Sequence, residues 1–157
     1  MDIKEKKLAQ AMLKAFELLN KHDLNDWDID INNKVTAIGE TYHGTKTIKF
    51  SERFTMVATK EQFEGVALHE IAHALLPAGS NHGSDFIRKC TEISPTTKYV
   101  GRTTEPMFIS RYKIVCPECG KKSLYNTKKK GYCIPCKNNG KEVFIETEKN
   151  DVEVTVW

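Results

Sequence analysis

The sequence has no long hydrophobic run. Its longest apolar stretch is interrupted by His69, Glu70 and His73, whereas a membrane-spanning helix needs about 18 or more apolar residues in succession. The first residues, Met-Asp-Ile-Lys-Glu-Lys-Lys, also lack the apolar centre and the small-residue cleavage site of a secretory signal peptide. These absences predict a protein that neither spans a membrane nor is exported, and we expect it in the cytoplasm.

Cysteine is scarce in the first two thirds of the chain, where Cys90 stands alone and is expected to be a small buried side chain. The other four cysteines form two pairs, Cys116-Pro-Glu-Cys119 and Cys133-Ile-Pro-Cys136, with 13 residues between them. In an exported mini-protein such pairs would suggest disulfides, but without an export signal they indicate metal binding. Four thiolates complete a tetrahedral shell, so we predict a structural zinc site in a small ribbon.

Acidic residues are nearly absent from residues 111–141, where Glu118 alone faces nine lysines and arginines, although the whole chain carries only +3. Tyrosines at 125 and 132 lie among the lysines of this segment, which are Lys121, Lys122, Lys128, Lys129 and Lys130. Lysines neutralise phosphates and aromatic rings stack on unpaired bases. The segment therefore predicts DNA binding without sequence specificity, the alternative being a solvated hairpin tip with tyrosines in its core.

Hydrophobic periodicity predicts a mixed composition of helices and strands in the rest of the chain. Apolar residues spaced three and four apart indicate helices over 3–20, 59–76 and 85–93, and capping residues precede each of them. Alternation with a period of two indicates a small antiparallel sheet between residues 27 and 50. Short strands are expected around 112–115, 131–134, 143–145 and 152–157. The pattern is that of an α+β protein.

The central helix contains His69-Glu70-Ile71-Ala72-His73, a pattern typical of zinc metallopeptidases. Residues four apart lie on one face of a helix, so both imidazoles can reach one metal ion. Three protein ligands leave a position open for water, and zinc lowers the pKa of that water to about 7. We therefore predict that His69 and His73 bind a catalytic zinc ion and that Glu70 is the general base.

The third ligand of this zinc ion has several candidates. His82 follows after a turn that contains Pro77, and Gly83 beside it allows a close approach of the backbone. An imidazole suits zinc well, which favours His82. Carboxylates from the following helix, at Glu92 or Asp85, are the alternatives.

These motifs together resemble the SprT-like zinc metallopeptidases, a family that includes the DNA-dependent protease Spartan. The resemblance covers roughly residues 8 to 140 and rests on Leu18-Leu19-Asn20, Gly39, His69-Glu-Ile-Ala-His-Ala74, His82-Gly-Ser-Asp-Phe86 and the cysteine ribbon. It implies that His82 is the third zinc ligand. The loop between His73 and His82 is short, which leaves little room for an elaborated substrate wall.

We therefore predict a zincin-like domain over residues 1–105, with helices packed on a small antiparallel or mixed sheet, and a β zinc ribbon with a closing hairpin over 106–157. The resemblance implies zinc-dependent hydrolysis of peptide bonds in a protein or peptide substrate, including proteins bound to DNA. A non-catalytic adaptor that binds nucleic acid through its ribbon is the main alternative. A different zinc hydrolase, of the deformylase-like kind with a cysteine ligand, would have to use Cys90.

Overall fold

A computed structural model describes residues 1–94 and 109–157 of the chain. The contacts divide the chain into two compact units, Met1–Pro106 together with Glu153–Trp157, and Met107–Val152. The boundary predicted between residues 105 and 106 lies outside the described residues and stays a prediction. Among the described residues, no helix has both the length and the apolar character needed to cross a membrane.

The described residues of the first unit contain four helices: α1 (Ile3–Lys21), α2 (Glu52–Val57), α3 (Lys60–Leu75) and α4 (Ser84–Ile93). The capping boxes predicted for α1 and α3 are both formed: the side chains of Asp2 and Glu5 bond each other's backbone N–H groups, and so do those of Thr59 and Gln62. Such bonds satisfy donors that a helix leaves unpaired in its first turn. The sequence therefore determines where both long helices begin.

Three strands form a mixed sheet in the order β1-β3-β2, with β1 at Asp28–Asn32, β2 at Gly39–Tyr42 and β3 at Thr47–Ser51. β2 is antiparallel to β3, whereas β1 is parallel to it. The fully antiparallel form of the prediction is therefore wrong for β1, and the mixed form is the one observed. The turn residues His43-Gly44 indicate the local β2–β3 hairpin. The pairing of β1 with β3 joins strands that are separated in the chain by β2, and it has no local signal. The arrangement leaves β2 at an edge, where it contacts α3.

The core of the first unit surrounds α3. Phe63 of this helix packs against Phe50 and Phe54, with ring centroids 4.8 and 6.2 Å apart. On another side, Ala72 packs with Phe86 and Cys90 of α4, and Cys90 is buried as predicted. The N-cap of α4 is Gly83, which caps without a side-chain hydrogen bond, and Ile87 on this helix is 48% exposed.

The C-terminal segment, Glu153–Trp157, packs on the first unit and forms no strand. The backbone N–H of Thr155 donates to the carbonyl of Met56 at 2.8 Å, and the indole N–H of Trp157 donates to the carbonyl of Ala58 at 3.0 Å. Ala58 directly precedes Thr59, the N-cap of α3, and Met56 lies two residues before Ala58. The segment thus stabilises the beginning of the central helix.

The second unit consists of short elements around the cysteine pairs. They are β4 (Tyr112–Val115), β5 (Lys122–Tyr125), β6 (Lys130–Tyr132), α5 (Ile134–Asn138), β7 (Phe144–Glu146) and β8 (Glu148–Lys149). The strands form one sheet in the order β5-β4-β8 and a two-stranded sheet of β6 and β7. Three of the cysteines are buried in its small core, against Val143 and Ile145.

Candidate active site and metal centres

Three histidines of the first unit meet at one point. His69 and His73 project from α3, and His82 comes from the turn before α4. The Nε2 atom of His82 lies 3.0 Å from that of His69 and 3.2 Å from that of His73. His69 is buried, His73 is half-buried and His82 is exposed. The group is therefore anchored in the core and reaches the surface at His82.

The spacing of these nitrogens suits a tetrahedral metal ion. Zinc–nitrogen bonds of about 2.0–2.1 Å place neighbouring ligand atoms of a tetrahedron roughly 3.3 Å apart, close to both observed separations. Burial, with the nearby His69 and His82, lowers the pKa of His73 to about 4. His73 is therefore neutral at neutral pH, with the lone pair that a metal requires. The three histidines could hold a metal ion.

The alternative ligands from α4 are engaged elsewhere. Asp85 forms an ion pair with Arg88 at 2.7 Å, and Glu92 forms one with Lys89 at 3.2 Å. Neither carboxylate belongs to the group of potential ligands that contains the histidines. The geometry therefore brings His82, and not the two carboxylates, to His69 and His73.

Phe86 lies against all three imidazoles. Its ring centroid is 4.7 Å from that of His69, 4.3 Å from that of His73 and 4.8 Å from that of His82. Only 1% of Phe86 is exposed, so the ring is a fixed surface that limits how the imidazoles can rotate. Periodicity predicts only that Phe86 faces inward, and the His82-Gly-Ser-Asp-Phe86 pattern is the one signal in the sequence that links it to His82.

Glu70 is buried in α3 and is bonded by the edge strand β2. The Thr41 hydroxyl lies 2.7 Å from Oε2 of Glu70 and 3.0 Å from its carbonyl oxygen. Burial raises the pKa of Glu70 to about 7, against the opposing effect of the Thr41 bond. A pKa near neutrality suits a group that takes up and releases protons during a reaction. A bound metal cation would lower this pKa.

Gly39 allows β2 to approach Glu70 closely. A Cβ atom at this position would lie 2.9 Å from Cγ and 3.0 Å from Oε1 of Glu70, closer than side chains tolerate. Gly39 is part of the family resemblance, but spacing alone does not reveal its contact. Thr41 has no signal of its own in the sequence.

His43 holds the far end of α3. Its Nε2 atom lies 3.0 Å from the carbonyl oxygens of both His73 and Leu76. Because both partners accept hydrogen bonds, Nε2 carries the proton. The last carbonyls of a helix lack intrahelical donors, so His43 supplies one to the turn that carries His73. His43 comes from the turn between β2 and β3, and no periodic signal in the sequence predicts its contact with α3.

The four paired cysteines form the second candidate metal centre. Sγ of Cys116 lies 3.7 Å from that of Cys136, and Sγ of Cys119 lies 3.6 Å from that of Cys133. Zinc–sulfur bonds of about 2.3 Å in a tetrahedron would place the sulfurs roughly 3.8 Å apart. The four thiols are free, so the group could hold a metal ion.

Electrostatics within this cluster favour a cation. Backbone hydrogen bonds from Cys119 and Glu118 lower the pKa of Cys116 to about 6. Burial and the neighbouring thiols raise the pKa of Cys136 to about 12. One thiolate is thus stabilised by the turn, whereas four together need a positive charge among them.

The predicted DNA-binding lysines, Lys121, Lys122, Lys128, Lys129 and Lys130, are all exposed. The first pair leads into β5 and the other three lead into β6. Next to them, Tyr132 and Phe144 form an edge-to-face pair with centroids 5.7 Å apart, and their exposed fractions are 50% and 56%. Large exposed rings beside lysines suit a partner that has both phosphates and flat apolar faces.

Comparison with known proteins points to one family. A family model described as SprT-like matches residues 6–105, a range that holds the three histidines, Glu70 and Thr41. The chain is also 25% identical over 144 residues to the Protein SprT-like of Oceanobacillus iheyensis, a match that covers 83% of this chain and 96% of that protein. No solved structure gives a significant match.

Proposed function

We propose, from the premise that this chain belongs to the SprT-like family, that its first unit is a zinc-dependent metallopeptidase that hydrolyses peptide bonds. The observation that carries this proposal is the convergence of three imidazole nitrogens next to a buried glutamate on the same helix. A purely structural histidine site does not need a carboxylate at position 70. This distinguishes the enzyme from the non-catalytic adaptor.

In this proposal His69, His73 and His82 hold the zinc ion. Zinc there supplies Lewis acidity, which polarises a peptide carbonyl and makes water more acidic. Glu70 accepts a proton from the attacking water and passes it to the departing amine. The Thr41 hydroxyl is bonded to Oε2, which leaves Oε1 to accept that proton. Burial keeps the carboxylate out of bulk water and raises its pKa to about 7. A general base is most effective when its pKa lies near the working pH.

Glu70→Gln tests the peptidase. Glutamine keeps the size of the side chain but cannot take up a proton at neutral pH, and general-base catalysis typically contributes about 10²- to 10⁴-fold to the rate. We expect a rate loss of that size with the zinc content unchanged, since Glu70 is not a ligand. His73→Ala should lose both zinc and activity. The assay follows cleavage of a DNA-bound protein and of an unfolded protein, each with and without DNA.

A matched control is Glu64→Gln, the same substitution on the same helix. Glu64 forms an ion pair with Lys14 at 3.4 Å, away from the histidines in sequence, and the variant should keep wild-type activity. If the wild type and Glu70→Gln are equally inert on every substrate and DNA form, the adaptor becomes the better explanation.

We further propose that the second unit is a zinc ribbon that binds DNA without sequence preference and brings the peptidase to proteins on DNA. The exposed lysines beside Tyr132 and Phe144 support this partner, as does the scarcity of acidic residues over 111–141. Lysines supply affinity for the phosphate backbone of any sequence, and exposed rings add contacts to unpaired bases.

A further inference from the structure

We propose that Thr41 is a positioning residue for Glu70, and that Thr41 and Gly39 of the edge strand β2 together form a slot that fixes the orientation of this carboxylate. The inference rests on the peptidase function proposed above. Glu70 is the catalytic residue of that proposal, and Thr41 acts only through it.

The hydroxyl of Thr41 contacts both ends of the Glu70 residue. Its Oγ1 lies 2.7 Å from the carboxylate Oε2 and 3.0 Å from the carbonyl oxygen of the same residue. A distance near 2.7 Å is typical of a hydroxyl bonded to a charged carboxylate. A glutamate side chain has three rotatable bonds, and this contact restricts them while it ties the strand to the helix.

Gly39 provides the space in which the carboxylate lies. It is two residues from Thr41, so the two residues share one face of the strand. A Cβ atom at position 39 would come within 2.9 Å of Cγ and 3.0 Å of Oε1 of Glu70. Thr41 therefore holds one oxygen while Gly39 leaves room for the other.

The strand that forms the slot is itself held firmly. Thr41 is paired with Ile48 and Gly39 with Phe50 in the β2–β3 ladder. Both partners on β3 are fully buried in the core. A slot on a paired strand that rests on the core can fix a side chain more closely than a loop can. An error of about 1 Å in the position of a catalytic group can lower the rate by about 10²-fold.

A merely structural role would explain the same hydrogen bond, because a buried carboxylate needs a partner. The two roles differ in what a substitution changes. Loss of a structural bond lowers stability and affects the unit as a whole. Loss of positioning lowers kcat, leaves KM and zinc binding unchanged, and has no effect once the carboxylate is gone.

The first experiment compares Thr41→Val, which removes the hydroxyl, with Thr41→Ser, which retains it. We expect Thr41→Val to lower kcat by about 10- to 10²-fold, with KM and zinc content at wild-type values. Thr41→Ser should recover most of the rate. Gly39→Ala, which displaces the carboxylate while Thr41 is intact, should lower kcat in the same way and serves as the second test if Thr41→Val does not fold.

Thr47→Val is the matched control. Thr47 lies on β3 of the same sheet, and its hydroxyl donates to the carbonyl of Thr45 at 3.0 Å. This variant should keep the wild-type kcat and KM. An unchanged kcat in both Thr41→Val and Gly39→Ala would overturn the inference.

The second experiment adds Thr41→Val to Glu70→Gln. If Thr41 acts through the carboxylate, the double variant is no slower than Glu70→Gln alone. A further loss equal to that of Thr41→Val in the wild type would show an independent structural effect and overturn the positioning role. Full activity of Glu70→Gln itself would instead refute the peptidase mechanism. The two failures are thus distinguishable.

Discussion

The ammonium nitrogen of Lys7 lies 4.2 Å from the ring centroid of Trp157, and only 2% of Lys7 is exposed. The same nitrogen donates to the carbonyl oxygens of Ala58, at 2.8 Å, and Thr155. Its charge is thus stabilised by carbonyl dipoles and by the face of an aromatic ring. Burial lowers the pKa of Lys7 from 10.5 to about 8.

This contact predicts a pH dependence of stability. Between about pH 8 and 10.5 the unfolded chain holds the Lys7 proton more tightly than the folded chain, so folding releases it and the free energy of unfolding rises with pH. Below pH 8 the cost of burying the ammonium is present in full. Relative to Lys7→Met, the wild type should become more stable as the pH rises through this range, by at most about 1.4 kcal/mol per pH unit.

Urea denaturation followed by tryptophan fluorescence measures this difference, because Trp27 and Trp157 are the two tryptophans of the chain and both belong to the first unit. Lys14→Met is the control, since ion pairs with Glu17 and Glu64 raise the pKa of Lys14 instead. Relative to Lys14→Met, the wild type should not become more stable between pH 8 and 10.5. An unchanged difference between the wild type and Lys7→Met across this range would contradict the prediction.

His43→Ala should weaken the histidine metal site without removing a ligand. The substitution takes away the ring donor that the carbonyls of His73 and Leu76 share. The His73 carbonyl keeps the backbone N–H of Leu76 at 3.2 Å, and a partly buried carbonyl such as that of Leu76 costs about 1–3 kcal/mol when it loses its partner. Loss of a residue that orients a ligand typically lowers metal affinity by about 10- to 100-fold. Competition with a zinc-binding dye measures this affinity. His22→Ala, at the end of α1, is the control and should retain the wild-type affinity for zinc.

Metal analysis should find about two zinc ions per chain, because two ligand groups of different chemistry suit a tetrahedral ion. Replacing Cys116 and Cys119 by serine should leave about one zinc ion, and His73→Ala should do the same at the other site. Cys90→Ala is the matched control, since Cys90 packs against Ala72 and Phe86 instead, and it should keep both ions. A content near one that survives the double serine substitution would refute the ribbon site.

The parts of the fold that the sequence predicts are those with local causes. The capping boxes at Asp2 and Thr59 define the beginnings of α1 and α3, and the short strand expected around 112–115 is β4. The helix α2 was missed because its six residues, which follow β3 directly, are too few to show a period. The parallel pairing of β1 with β3 and the docking of Trp157 beside Ala58 depend on residues far apart in the chain.

The candidate site likewise contains some residues that the sequence predicts and others that it does not. Ligand types and helical spacing single out His69, Glu70 and His73. The turn after α3 favours His82, and the resemblance implies the same residue. Their supporting residues, Thr41 and His43, come from β2 and the turn after it, and they act through a hydroxyl and a ring nitrogen that no spacing rule marks. Residues that hold ligands and bases in place are selected by three-dimensional contact, which one sequence does not display.

Replacing Lys128, Lys129 and Lys130 together by glutamate should weaken DNA binding and its salt dependence. These exposed lysines lead into β6, and each phosphate contact on duplex DNA contributes about 0.9 to the slope of log affinity against log salt. Loss of three contacts should therefore lower the slope by about 2 to 3. Fluorescence anisotropy at several salt concentrations measures both quantities.

The control for this triple variant changes the net charge equally but in the other unit. Lys6, Lys21 and Lys60 are exposed in the first unit, and glutamate at these positions should leave most of the affinity and the slope intact. If both triple variants weaken binding alike, overall charge and not the ribbon determines the affinity.

Tyr132→Ala separates stacking from charge. It should weaken binding to single-stranded DNA by about 1–3 kcal/mol, with little effect on duplex DNA, because paired bases are not available to the ring.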